Sequence, residues 1–237
     1  MRLALPPTLI ALVLSGCKSS GGSAAGAPPS IDSSPADADT IQATVRVLDA
    51  MSGAGMEGVA VWSTEDDEAT TSADGRASVA VRSEDTFEVL LQRTGAADHL
   101  LFGPTGMEDF TVVTFMATTT LMSAVSGMLG VPIEDDLGIV VVGIDHDDLS
   151  PAVGASASLS GSHGDPWLLG PAGASFGDTI QPGGMGMVAF PNVEPGQVTV
   201  SVSPPTDMTC EAFPAGGEMP PVPVEAGVVT VVTHHCR

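Results

Sequence analysis

The chain has 237 residues, of which 29 are acidic and 7 are lysine or arginine, so its formal net charge at pH 7 is −22. A surface with this charge repels phosphates and anionic lipid headgroups, which excludes nucleic acid as a partner. The sequence contains 28 glycines, 19 prolines and no tyrosine. So many turn residues between short apolar runs favour an all-β fold over long amphipathic helices.

The N-terminus carries a short apolar run, Leu9–Leu14, behind the positive charge of Arg2. The run is shorter than the roughly 20 apolar residues of a membrane-spanning helix, so it is predicted to be a signal segment rather than a transmembrane helix. It ends at Leu14-Ser15-Gly16-Cys17, which resembles the lipobox of bacterial lipoproteins. The alternative is an ordinary secretory signal in which Cys17 has no role.

The resemblance to lipoproteins implies a signal peptide over residues 1–16 and lipid attachment at Cys17, which anchors the protein to a membrane of the bacterial cell envelope. Several acyl chains make such an anchor effectively permanent, whereas one chain binds only marginally. Lys18 follows the cysteine, and in such lipoproteins the absence of an aspartate at this position indicates the outer membrane. Residues 17–40 are mainly Ser, Gly, Ala, Pro and Asp and are predicted to be a lipid-anchored flexible linker.

Alternating apolar and polar residues indicate the first strand, Ile41–Leu48. Further strands are predicted at 59–62, 77–81, 87–91 and 109–115. The turn signals between them include Asp74-Gly75. These segments, in this order, resemble the carboxypeptidase regulatory-like domain, a transthyretin-like β-sandwich, over residues 41 to about 95. The resemblance implies a first sandwich over residues 41–115 that is an accessory module rather than a catalytic one.

One helix is predicted, because apolar residues recur on one helical face after residue 120. These residues are Leu121, Met122, Val125, Met128 and Leu129. Thr118 or Thr119 is expected to cap the N-terminus of the helix, and Gly130 is expected to end it. The methionines are interpreted as core residues rather than as metal or haem ligands. The helix and a connector occupy residues 116–136.

Residues 137–237 repeat the outline of the first half. Strands are predicted at 139–145, 153–157 and 228–233. Phe190–Gly196 resembles the turn before the final strand of regulatory-like domains, and the Gly- and Pro-rich insertion Gly161–Gly186 is predicted to be a loop. The two halves together predict two tandem transthyretin- or immunoglobulin-like β-sandwiches, over residues 41–115 and 137–237, joined by one short helix.

A candidate nucleophile is Ser175, which lies in the Gly-x-Ser-x-Gly pattern of Gly173–Gly177. An aspartate and then a histidine follow Ser175, which is the chain order of a hydrolase triad. The candidates are Asp178 or Asp207 and His234 or His235. A nucleophile elbow joins a buried strand to a helix, whereas Ser175 lies in a predicted Gly/Pro loop. The context therefore favours a surface loop.

Five histidines are candidate metal ligands: His99, His146, His163, His234 and His235. Asp145-His146-Asp147-Asp148 places one imidazole among three carboxylates, a mixture that can hold zinc or calcium. No spacing is diagnostic of a metal site. A solvated acidic loop is favoured, and no metal or other cofactor is predicted.

Cys210 and Cys236 are the cysteines that remain when Cys17 carries lipid. Because thiols are oxidised outside the cytoplasm, these two are expected to form a disulfide. The alternative is a thiolate metal site completed by His234 or His235. Adjacent residues of a strand point to opposite faces, so at most one of these histidines could join the cysteines.

The sequence therefore predicts a non-catalytic lipoprotein of the cell envelope whose β-sandwiches bind another protein or have a structural role. Glycan binding by stacking is weakly supported, since the chain has 2 tryptophans and no tyrosine. The alternative function is an envelope hydrolase that uses Ser175 or a histidine-bound metal.

Overall fold

The computed structural model describes residues 39–65, 67–170 and 173–237. The predicted signal peptide, Cys17 and nearly all of the predicted linker lie outside these residues. The first half contains β1 (Thr40–Asp49), β2 (Ala60–Ser63), β3 (Glu68–Thr70), β4 (Arg76–Arg82), β5 (Thr86–Gln92), β6 (Asp98–Pro104), β7 (Phe110–Met116) and the helix α1 (Thr119–Leu129).

The second half contains β8 (Gly138–Asp145), β9 (Ser156–Leu159), β10 (Trp167–Gly170), β11 (Gly173–Phe176), β12 (Met187–Val193), β13 (Gly196–Val198), β14 (Val200–Ser203), β15 (Cys210–Ala212), β16 (Val222–Val224) and β17 (Val228–Cys236). The predicted all-β fold with one short helix is thus confirmed for the part of the chain that the structure describes.

A three-stranded sheet has the order β4-β1-β7, in which β1 is antiparallel to β4 and parallel to β7. The alternation predicted for β1 is observed, since Ala43, Val45 and Val47 are fully buried. These side chains face one core of the molecule, while the alternate residues of β1 lie on the outer face of the sheet.

A ten-stranded sheet, called the central sheet below, joins strands from both halves in the order β11-β10-β12-β8-β17-β6-β5-β2-β3. β15 adds to it by pairing with the last residues of β17. β17 lies between β6 and β8 and is parallel to both. Parallel strands are usually buried on both faces, and these three strands are almost continuously buried. The predicted halves 41–115 and 137–237 therefore share one sheet, and the domain boundaries at 116–136 stay a prediction.

Two large cores lie on the two faces of the central sheet, and a smaller cluster lies under α1. Val229 and Val231 of β17 face the first core, which the three-stranded sheet covers. Val232 and Cys236 face the second core. The second core is covered by the short pairs β9–β14 and β13–β16. The fold is thus two layers of strands packed on opposite faces of one sheet.

The helix has the ends that the sequence predicts. The Thr118 side chain accepts a hydrogen bond of 3.1 Å from the amide of Leu121, and Gly130 ends the helix in the left-handed conformation with φ of 68°. Val125 is the buried residue of the helix, whereas Met128 is 61% exposed. The prediction that the methionines fill the core is therefore wrong for Met128, because α1 packs against the central sheet along only a narrow side.

The Gly161–Gly186 insertion is not a loop throughout. β10 and β11 within it form a hairpin that extends the central sheet, where Trp167 pairs with Ala189 of β12. Trp167 is 1% exposed, so burial of its indole accounts for the order of a segment whose composition indicates a loop. Within the described residues, no helix is long and apolar enough to span a bilayer.

Candidate binding cleft

A concave surface lies beside β7. In the described part of the chain β7 pairs with β1 alone, so its other edge carries no partner strand. Thr111–Val113 and Phe115 line one cavity, and Thr114 and Phe115 line a second cavity that adjoins it. Successive residues of a strand point to opposite faces, so the first cavity, whose wall contains Thr111–Val113, reaches the edge of the strand, and Arg46 and Leu48 of β1 extend it over the face of the sheet. We call the two cavities together the β7 cleft.

The cleft has two ends, which share Phe115 and Met185 as lining residues. The polar end has a volume of ≈ 330 Å³, and Arg46, Asp145 and His235 lie in its wall. The apolar end has a volume of ≈ 470 Å³ and lies between α1 and the central sheet. Both volumes fall in or near the range of about 300–1,000 Å³ found for ligand sites.

The polar end contains three ionisable side chains in partly buried positions: Arg46, Asp145 and His235. Burial raises the pKa of Asp145 from its ordinary value of 3.8 to about 7, and the attraction of His146 opposes this shift only in part. The Arg46 Nε is buried and has no hydrogen-bond partner among the described residues. Burial also lowers the pKa of His235, although Asp147 lies 3.4 Å from its Nδ1 and opposes the shift.

Asp145 should make stability depend on pH. Because its pKa is raised in the folded state, the folded chain binds more protons than the unfolded chain between about pH 4 and pH 7, and this contribution to stability is lost as the pH rises. Asp145→Asn removes the titration. The melting temperature of the variant minus that of wild type should increase between about pH 5 and pH 8. After allowance for partial exposure, the increase should correspond to roughly 1–3 kcal/mol of unfolding free energy.

The control for this measurement is Asp148→Asn. Asp148 is exposed, and hydrogen bonds from Ser150 lower its pKa, so the carboxylate is ionised in both the folded and unfolded states above about pH 5. Its variant should differ from wild type by the same amount at both pH values. A difference between Asp145→Asn and wild type that does not change with pH would contradict the assignment.

Three buried side chains with polar atoms line the apolar end of the cleft: His99, Thr114 and Trp167. Burial lowers the pKa of His99, which is 2% exposed, so its ring is neutral. Its Nδ1 lies 2.9 Å from the Ala97 carbonyl oxygen, which can only accept, so Nδ1 carries the proton and Nε2 is an acceptor. The Thr114 hydroxyl and the Trp167 Nε1 are buried without a partner in the described part of the chain.

Ser175 does not lie in a loop, as its flanking glycines predicted, but on the edge strand β11, where it is exposed. It lines a cavity of ≈ 210 Å³. No histidine or aspartate is among the described residues in the wall of that cavity. Asp178 accepts a hydrogen bond from the Thr179 hydroxyl, and His234 lies on β17. The structure therefore does not bring an aspartate and a histidine together with Ser175 as a catalytic triad.

The histidines are separated by the fold. His146 binds the Cys236 carbonyl oxygen through Nδ1 at 2.9 Å, and His163 binds that of Gly164 at 2.7 Å. Burial lowers the pKa of His234 to about 4, while His235 on the opposite face stacks on Phe213 at 4.3 Å. Among the described residues, no three His, Cys, Asp or Glu side chains are close enough together to hold a metal.

Cys210 and Cys236 are joined by a disulfide, the pairing expected from the sequence. The two cysteines are directly opposite each other in the ladder between β15 and β17. The next residues of β15 lead to Phe213, which lines the polar end of the cleft. The disulfide thus fixes one wall of the cleft to the central sheet.

The cleft itself was not predicted from the sequence. The alternation of β7 and β17 predicts two strands, but neither strand shows which of its edges is left open. Placement of β7 at the edge of its sheet depends on pairing with β1, about 65 residues earlier, as in the register of Val45 with Val112. The one available signal was Arg46, a charged residue in an otherwise regular strand.

No protein-family model matches the sequence, and no curated protein matches it. Among solved structures, the TIE protein of Bacillus anthracis aligns with 84% of this chain and 34% of its own length, at 9% identity and a TM-score of 0.26. The minor pilin GBS52 of Streptococcus agalactiae aligns with 82% of this chain and 94% of its own, at 14% identity and a TM-score of 0.28.

A third structure, the major pilin T-13 of Streptococcus pyogenes, is 6% identical, with a TM-score of 0.26. The alignment covers 84% of this chain and 97% of that pilin.

Proposed function

We propose that this protein is a non-catalytic lipoprotein of the bacterial cell envelope, anchored through Cys17, and that it binds an extended segment of a partner protein along the β7 cleft. The observation that carries the proposal is the open edge of β7 beside a cavity. An exposed strand edge presents N–H and C=O groups that can pair with an added strand.

The walls of the cleft suit an extended peptide. Thr111, Val113 and Phe115 lie on one face of β7, and Val112 and Thr114 on the other, so pockets for side chains lie on both sides of the edge. Backbone pairing supplies affinity in this kind of recognition, and pockets for alternate side chains supply specificity. Arg46 adds an unpaired donor for a carbonyl or carboxylate oxygen of the partner.

Charge restricts the partner further. The chain has a net charge of −22, and a partner with basic residues on both sides of its apolar segment is steered towards such a surface. A basic protein or an exposed basic tail in the envelope has this character. The lipobox resemblance supports the location, with Lys18 favouring the outer membrane, and the resemblance to regulatory-like domains supports an accessory rather than a catalytic role.

The proposal predicts that Thr111→Lys weakens peptide binding. The probe is a fluorescein-labelled peptide of alternating valine and threonine with lysines at both ends. Thr111 is exposed and lines the cleft, so a lysine there leaves the core intact but repels the basic ends of the probe. Fluorescence anisotropy should show binding about tenfold weaker, a loss of about 1.4 kcal/mol.

The matched control is Thr70→Lys, an exposed threonine on β3, at the far edge of the central sheet. It should bind the probe as wild type does. A second control uses the same peptide with alternate amides N-methylated, which removes the donors needed for strand pairing and should abolish binding. Equal binding by both lysine variants, or by both peptides, would contradict the proposal.

A further inference from the structure

The apolar end of the β7 cleft is a second candidate for ligand binding, and it adjoins the polar end. Its wall is formed by α1, the start of the turn after β1 and the face of the central sheet that carries Val141, Val229 and Val231. Methionines contribute adaptable surface through Met122, Met185 and Met187. No charged side chain is among the described residues that line it. The chemistry of the wall therefore favours an uncharged, mainly apolar occupant.

The polar groups in this wall define the rest of the ligand. Trp167 Nε1 can only donate a hydrogen bond, and the Thr114 hydroxyl can donate or accept one. Both atoms are buried without a partner in the described part of the chain, and both residues line the cavity. A buried donor without a partner is unfavourable, and a ligand that accepts the bond would recover the lost free energy.

We propose that the apolar end of the cleft binds a neutral, mainly apolar small molecule with one hydrogen-bond acceptor, such as a ketone, ester or amide oxygen. The acceptor lies near Thr114 and Trp167, and the apolar body lies against α1 and the valines of the central sheet. A fatty acid carboxylate is disfavoured, because the wall has no cation to pair with it and the chain as a whole is strongly acidic.

The probe for this site is prodan, a neutral naphthalene with one ketone, whose emission moves to shorter wavelength in an apolar environment. We expect one molecule of prodan to bind per chain. Val125, which is buried and lines the cavity, is changed to phenylalanine to fill the space. Val125→Phe should weaken prodan binding about tenfold or more. Thr114→Val keeps the shape but removes the hydroxyl and should weaken it about fivefold.

The matched control is Met128→Phe, on the exposed side of the same helix and outside the cavity wall, which should bind prodan as wild type does. If Val125→Phe fails to fold, Ala174→Leu on β11, which also lines the cavity, replaces it. Absence of stoichiometric binding, or binding that cavity-filling variants leave unchanged, would overturn the proposal. Val125 lies outside the polar end, so either result is independent of peptide binding at Thr111.

Discussion

Replacement of Cys17 by serine should release the protein from membranes into the soluble fraction. The prediction rests on the lipobox Leu14-Ser15-Gly16-Cys17, because the cysteine thiol is the atom that receives the lipid in such signals. Each buried methylene of an acyl chain contributes about 0.8 kcal/mol, so loss of the chains removes the anchor almost completely. Fractionation of cells that express each form, followed by immunoblotting and palmitate labelling, measures the effect.

Ser15→Ala is the matched control for the anchor. It also changes one residue of the lipobox, but it keeps a small side chain before the cysteine, so the protein should remain membrane-bound and labelled. The prediction of lipid attachment at Cys17 is wrong if the Cys17→Ser variant still sediments with membranes and incorporates palmitate. It is also wrong if wild type is soluble and unlabelled.

Local patterns predicted most of the strands. Alternation in β1 and the turn at Asp74-Gly75 depend on residues that are neighbours in sequence, and the structure contains both, with Gly75 at φ of 79°. The caps of α1 were predicted for the same reason, since Thr118 and Gly130 act on the backbone of the adjacent turn.

Features that depend on distant parts of the chain were not predicted. β6 was missed because its run of buried residues has no alternation, which reflects a strand covered on both faces. The segment that forms the β10–β11 hairpin was predicted to be a loop, because glycine and proline dominate its flanks. Burial of Trp167 under the helix stabilises the hairpin instead. The β7 cleft also depends on distant parts of the chain. Parallel pairing with β1 places β7 at the edge of its sheet, and the central sheet supplies the opposite wall.

The disulfide has consequences for both stability and the cleft. It closes a loop with a sequence separation of 26 residues, and the unfolded-chain entropy model gives a stabilisation of about 3 kcal/mol for a loop of this size. Cys236 is 1% exposed, and its disulfide with Cys210 holds β15 on β17. Phe213 follows β15 directly and contacts both His235 and Phe110, with ring centroids 4.3 and 6.3 Å apart.

We therefore expect a double Cys210→Ala, Cys236→Ala variant to lose about 3 kcal/mol of unfolding free energy in urea titrations, compared with a chain that begins at Lys18 and keeps both cysteines. Dithiothreitol should lower the stability of the unsubstituted chain to a similar extent and leave the variant unchanged, which separates loss of the bond from loss of side-chain packing. Two alkylatable thiols in the unreduced protein, or zinc bound stoichiometrically, would contradict the disulfide.

The same variant should bind the valine–threonine peptide more weakly at urea concentrations where it is still folded. Without the bond, β15 is held to β17 by three paired residues, so Phe213 is less firmly placed against the polar end of the cleft. Less ordered walls cost more entropy on binding, and affinity should fall about three- to tenfold. Prodan binding, whose site excludes Phe213, should stay at the wild-type level. Parallel losses of both activities would instead indicate general loosening of the fold.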